Sequence, residues 1–423
     1  MDENKISILI KFKKFVISIG PAFFVVGYTI GTGSIVTMAS AGSRYGMEML
    51  WVLVLACLFA FVLLRAYGRY SIVRGEGVLY GMKKYIRGGK ILSSITLAGL
   101  IFVEILALTG IMGIVAELLN SWSHMIFGGK GWNPVFIVLG ISILIYIVIL
   151  LGKYSIFEKI LIVFVSIMGL SFIMTLFVIP PDPVAFVKGL VPHIPNKVNA
   201  AMIVAAIVGT TFTAPTFVVR SILMKEKKWK IEDIKHARKD AAIGSILMFI
   251  ISVSVMASAA ATLFVMNKPV DRVVDMIIIL EPLLGRFAIS VFVTGILGAA
   301  LSSIIPIVML TPLLLSDYNN KPINYNGTAF KWQTGIAILF GLIVPVFKFK
   351  PVFVMLVSQA FQVFLLPIVV LTIIYLINRK DLMKNIYIPS IYMNIRLWIV
   401  FLFTLVISYQ AVTGLIESFG TIK

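Results

Sequence analysis

Apolar runs close to the twenty residues that a helix needs to cross a bilayer recur along the whole chain, separated by short polar stretches. They predict eleven helical spans, at 15–38, 47–68, 92–121, 133–151, 155–179, 199–222, 241–266, 286–315, 331–347, 351–377 and 395–415. Two of these runs are interrupted by residues that a continuous helix disfavours. The first carries Gly31-Thr32-Gly33-Ser34 in its middle, and the sixth carries "VGTTFTAPTF", with Gly209, Thr210, Thr211, Thr213, Ala214, Pro215 and Thr216. Proline lacks a backbone donor and clashes with the preceding turn, and glycine adds conformational entropy, so each run is expected to split into two half-helices.

Interrupted spans five apart point to an inverted-repeat transporter whose site lies at mid-membrane between the breaks. Five spans per half turn the second half upside down relative to the first. The expected division is 1–180 for the first repeat, 189–378 for the second, and 379–423 for a cytoplasmic loop and an appended eleventh span.

Composition agrees with an all-α polytopic membrane protein. Of the 423 residues, 60% are hydrophobic and 13% charged, and no polar block is long enough for a soluble catalytic domain. The net charge of +19 is distributed as topology requires. Counting alternate loops from a cytoplasmic N-terminus, 27 of the 37 Lys and Arg fall on one side, which predicts a plasma (inner) membrane protein with its N-terminus cytoplasmic and its C-terminus outside. The basic stretches 65–90 and 225–239 are then surfaces against the lipid bilayer, and nucleic acid is not an expected partner. A signal peptide is not expected, because the first apolar run is too long for one. The lone Cys57 is a packed hydrophobe, a monomer is compatible with the sequence, and no cofactor is expected.

Three segments carry a family likeness. "AGSRYGMEMLW" (residues 41–51), "ILEPLLGRFAISVFVTGILGAALSS" (279–303) and "LVSQAFQVFLLPIVVL" with the later "NRKDLM" (356–383) resemble the Nramp family of proton-coupled divalent-metal transporters. The resemblance covers nearly the whole chain and implies a LeuT-type fold, a 5+5 inverted repeat with broken helices 1 and 6. It also implies a metal site. The family's Asp-Pro-Gly-Asn break falls on Gly31, Thr32, Gly33 and Ser34, so both side-chain ligands are replaced. The family's Met-Pro-His falls on Thr213-Ala214-Pro215 or, one residue later, on Ala214-Pro215-Thr216. No sulfur remains in either register, and the acidic stretch of the family's third span falls on Thr109 to Gly113 without its carboxylates.

A divalent ion leaving water needs ligands and, in a low dielectric, a compensating charge. Only Glu104 and Glu117 lie well inside an apolar span, and neither belongs to a break. The expected cargo is therefore a small anion or zwitterion, of carboxylate, bicarbonate or amino-acid type, held by exposed N–H groups and the positive end of a half-helix. Its candidate binding residues are Gly31, Thr32, Gly33, Ser34, Thr210, Thr211, Thr213, Ala214 and Thr216, with Gln359 and Gln362 on the tenth span and Tyr28 as a wall. Glu104 is the candidate for proton coupling, and Ser302 with Ser303 for a sodium ion. Arg220 is expected to attract an anion inward or to reach lipid headgroups. The alternatives are a divalent-metal carrier of magnesium or manganese type and a non-transporting receptor. No metal site is expected at the breaks, and no enzyme, since His124, His193 and His236 fall in loops without a nucleophile beside them.

Overall fold

The computed structural model describes residues 31–151, 154–197, 199–385 and 387–420. Tyr28 and the first half of the first span lie outside them. Every regular element among these residues is helical. In chain order they are α1 (Thr32–Tyr45), α2 (Leu50–Arg74), α3 (Val78–Tyr85), α4 (Gly89–Phe127), α5 (Pro134–Leu150), α6 (Tyr154–Val178), α7 (Pro183–Lys188), α8 (Ala200–Thr211) and α9 (Ala214–Glu226). There follow α10 (Ile234–Ala259), α11 (Ile277–Leu284), α12 (Ala288–Tyr318), α13 (Thr328–Leu339), α14 (Ile343–Phe347), α15 (Pro351–Gln362), α16 (Leu366–Asn378) and α17 (Ile391–Gly420).

Eight helical stretches among the described residues are long and apolar enough to cross a membrane, and Pro134–Leu150 and Ser166–Val178 are shorter apolar helices. Their burial separates an inner from an outer layer. The window through α8 and α9 is entirely buried, whereas only a third is buried in the windows through α13–α14 and α17. Large apolar side chains such as Phe136, Phe177, Trp332, Trp398 and Leu402 point away from the protein, as they must where the surroundings are hydrocarbon.

The sixth run is broken as expected, but not by the proline. Phe212 and Thr213 leave the helical region, and α9 begins at Ala214 with Pro215 in its first turn. A proline there loses no hydrogen bond, because the first-turn amides have no intrahelical acceptor anyway. Pro215 therefore starts the second half-helix and does not kink a continuous one.

The inner helices approach closely where small residues permit. α8 lies against α1, α15 and α17, α10 against α1 and α2, and α4 against α12 and α15. The tightest of these contacts is backbone to backbone. A Cβ on Gly209 would overlap the main-chain carbonyl of Gln359, which cannot rotate out of the way. Gly209→Ala is accordingly expected to destabilise the protein by about 1–3 kcal/mol, the usual cost of overpacking, read as a lower melting temperature in detergent. An unchanged melting temperature would mean that α8 and α15 are not in direct backbone contact.

Candidate functional site

Gly31 caps α1 with an extended backbone (φ −97°, ψ −169°), and no side chain satisfies the amides of the first turn. The break between α8 and α9 likewise leaves the last carbonyls of one half-helix and the first amides of the next without intrahelical partners. The start of α1 at Gly31 and the break between α8 and α9 border one buried cavity of about 30 Å3. Its wall is built from five directions: Gly31, Gly33 and Ser34 on α1, Glu104 on α4, Thr210 and Thr213 at the α8–α9 break, Ser303 on α12, and Met355, Gln359 and Gln362 on α15. Each of these side chains is at most 4% exposed, so the polar groups of the wall are withdrawn from bulk solvent.

At one end of the bundle the contacts include Ser43 Oγ, which accepts from Val270 N at 3.1 Å, and the Arg44–Asp271 ion pair at 2.5 Å. At the other end α3 is held by two helices. Val78 N donates to Ser221 Oγ on α9 at 3.1 Å, and Leu79 N donates to Asp317 Oδ2 on α12 at 3.0 Å. Ser71 Oγ on α2 completes the cluster by donating to the carbonyl of Ser221 at 2.6 Å.

The chemistry of the wall is that of an acceptor set. Among the described residues, Thr213 Oγ1, Ser303 Oγ and Gln362 Oε1 are buried with no hydrogen-bond partner, and all three border the cavity. Such groups are costly unless something occupies the space between them. The carboxylate of Glu104 adds a negative charge and the thioether of Met355 a soft donor. The absence of side chains at Gly31 and Gly33 is what keeps the space open. A Cβ on Gly31 would overlap Ser303 Oγ, and one on Gly33 would overlap the ends of Met355 and Gln359.

Not every expected residue reaches the cavity. Thr32 Oγ1 turns to the carbonyl of Ile296 at 3.5 Å. Thr211, Ala214 and Thr216 are buried beside the break but do not line the space. The serine pair divides. Ser303 faces Gly31, while Ser302 Oγ bonds back to the carbonyl of Ala299 at 2.9 Å. Arg220 neither reaches lipid nor waits for an anion: it is fully buried, paired with Asp240, and donates to the carbonyl of Ala237 at 3.1 Å. Glu104 belongs to the site itself, although it lies in neither break. Met355 was not expected at all, yet it shares the face of α15 with Gln359 and Gln362 at a spacing of four and seven residues, the helical repeat that would have revealed it.

Among the described residues no three His, Cys, Asp or Glu cluster, so any cation here depends on neutral oxygens, one sulfur and one carboxylate. A small anion or zwitterion, the cargo expected from the glycine break, is the wrong reading. A carboxylate on the wall repels an anion, the space is too small for an amino acid, and the relatives of this chain point elsewhere.

Those relatives match along most of its length. The Nramp profile, described as "Natural resistance-associated macrophage protein-like", matches residues 22–414. The divalent metal cation transporter MntH of Caldanaerobacter subterraneus subsp. tengcongensis is 22% identical over 392 residues, covering 89% of this chain and 88% of the relative. MntH of Yersinia pestis (strain Pestoides F) is 23% identical over 303 residues, covering 67% and 68%. A crystal structure of the Eremococcus coleocola manganese transporter superposes with a TM-score of 0.76 at 14% identity, over 95% of this chain and 87% of that one, a likeness that shows the fold alone. With the fold of a solved transporter, a buried mid-bundle cavity and a family match over nearly all its residues, this integral membrane protein is a transporter and not an enzyme, and it belongs to the Nramp family.

Proposed function

We propose that this protein carries divalent metal cations across the membrane by alternating access, with Mn2+ as its principal cargo and the buried cavity as the cargo site. The observation that carries this reading is the combination, around about 30 Å3, of the Glu104 carboxylate, three partnerless buried oxygens and the Met355 thioether. The names of the MntH relatives and of the Eremococcus coleocola manganese transporter support the same cargo class.

The cavity's size bears on which metal. A space of about 30 Å3 accommodates a bare ion with at most one or two waters, roughly 15 Å3 of such volume being needed for each. Mg2+ dehydrates reluctantly and keeps several waters, so it suits this space poorly. A thioether gives no advantage to Mg2+ or Ca2+ but favours the transition series. In this proposal Gly31 and Gly33 leave room for the ion, Glu104 balances part of its charge, and Thr213, Ser303, Gln359 and Gln362 replace its water ligands. Ser303 thus serves the cargo and not a separate sodium ion. In this reading the halves 1–180 and 189–378 rock about the site, with the N-terminus and α3 on the cytoplasmic side, an orientation that the distribution of Lys and Arg supports.

Uptake into proteoliposomes tests this directly. Saturable Mn2+ uptake should exceed Mg2+ uptake, and parallel proton and sodium gradients would identify the driving ion. Absence of saturable Mn2+ uptake under every gradient would overturn the reading. Met355→Leu keeps the volume and removes the sulfur, and it is expected to narrow the preference for Mn2+ over Mg2+ by about tenfold, the equivalent of about 1.4 kcal/mol. A preference unmoved by Met355→Leu would remove sulfur from the account of selectivity.

A further inference from the structure

We propose that the interface of α2 and α10 is a built seat for one anionic phospholipid, with a cationic cleft for its phosphate and an apolar groove for an acyl chain. The two parts lie end to end on the same pair of helices. The cleft, about 180 Å3, is lined by Arg65 and Arg69 of α2 and by Lys235 and Arg238 of α10. The groove, about 370 Å3, lies between the same helices and includes Leu58 and Phe61 of α2 and Ile246 and Phe249 of α10.

Helical spacing makes this one continuous surface. On α2 the positions 58, 61, 65 and 69 fall at steps of three and four, and on α10 positions 249, 246, 242, 238 and 235 do the same in the opposite chain direction. Both helices therefore pass from apolar to basic toward the same end of the bundle, the end that also holds α3.

The charges in the cleft are uncompensated. None of Arg65, Arg69, Lys235 and Arg238 is in an ion pair with a described residue, although Arg65 and Arg69 are half-buried. The one carboxylate buried nearby on α10, Asp240, is taken by Arg220 on the opposite side of the helix. Arg65 and Arg69 are half-buried while Lys235 and Arg238 stay exposed, so four cations line one partly dehydrated cleft with no carboxylate in its lining; such a cluster favours an anion, and guanidinium groups match the oxygens of a phosphate in a two-pronged arrangement. A free phosphate would use only the cleft. The groove one turn further along the same helices, lined by apolar side chains apart from Ser245, suits a fatty-acyl chain, which is why the occupant is a lipid.

Native mass spectrometry of the full chain in detergent, titrated with phosphatidylglycerol, phosphatidylcholine or inorganic phosphate, tests this seat. The expected result is one retained phosphatidylglycerol and no comparable retention of phosphatidylcholine. Arg69→Gln with Arg238→Gln should weaken phosphatidylglycerol binding about 25-fold, from about 1 kcal/mol per basic residue. Arg69→Lys with Arg238→Lys should retain most of it, and Lys321→Gln with Lys331→Gln, distant from the cleft, should bind as the unmodified protein does. Equal retention of the two lipids, or equal binding by the glutamine variant, would overturn the proposal. Equal protection of the unmodified protein against thermal unfolding by inorganic phosphate would assign the cleft to free phosphate. Both lipid and phosphate comparisons use the unmodified protein, so they decide the matter even if the glutamine variant does not fold.

Discussion

Glu104→Gln is expected to lower Mn2+ affinity by at least about a hundredfold, the upper range for losing even a supporting group of a metal site, and to abolish uptake at low micromolar metal. The substitution preserves shape and hydrogen-bonding capacity while removing the only carboxylate among the described residues of the cavity wall. A divalent ion among these buried groups would then be held by neutral ligands from the described wall, and its desolvation would be less well compensated. The folded state should not suffer. Glu104 is 3% exposed and glutamine fills the same space, so the melting temperature in metal-free buffer is expected to change little. Calorimetric titration and uptake by the variant check both halves. Wild-type metal affinity in Glu104→Gln would place the compensating charge outside this cavity and sink the assignment of the cargo site.

The largest expected effect on stability lies elsewhere. Arg220 on α9 and Asp240 on α10 form an ion pair in which both side chains are almost wholly buried, at 0% and 1% exposure. Removing one partner strands the other charge, which typically costs about 3–5 kcal/mol, so Asp240→Leu or Arg220→Met alone should severely reduce the folded yield. Replacing both, Arg220→Met with Asp240→Leu, should recover most of the loss, because a buried pair gains little over apolar residues that fill the same space. Melting temperatures of the two single variants and the double variant form the necessary cycle. Additive losses in the cycle would show that the two residues act independently and that the pair does not hold α9 to α10.

Much of this architecture was legible in the chain. The apolar runs marked the spans, because a bilayer imposes both their length and their composition. The breaks at Gly31 and near Thr213 were visible because few residues tolerate leaving a helix inside hydrocarbon. The cargo was not legible. Reading the site from the breaks alone omitted α4 and the start of α15, and those helices supply the carboxylate of Glu104 and the sulfur of Met355. Glu104 stood out as a carboxylate inside an apolar span, but it was assigned to proton coupling and not to the cavity; Met355 left no local signal. Only a face count could have placed both: Glu104, Ala107 and Ile111 share one side of α4, as Met355, Gln359 and Gln362 share one side of α15. Arg220 was misjudged for a related reason. An arginine near the end of a span resembles a headgroup anchor until the helix beside it supplies an aspartate.

The division of the sixth span between neighbours has a mechanical consequence. α8 is clamped to α15 at Gly209, whereas α9 is tied through Arg220 to α10 and through Ser221 to α3. The two halves of one span share α2 but differ in these other neighbours, and the non-helical link between them is Phe212 and Thr213. Thr210 is on the clamped side of that link and Thr213 is in it, so swinging α9 away changes the distance between two donors of the same cavity. Under the proposed function, a swing of α9 that opens the cavity would also loosen its grip on the ion, and the ion would favour the closed arrangement by its difference in affinity between the two states.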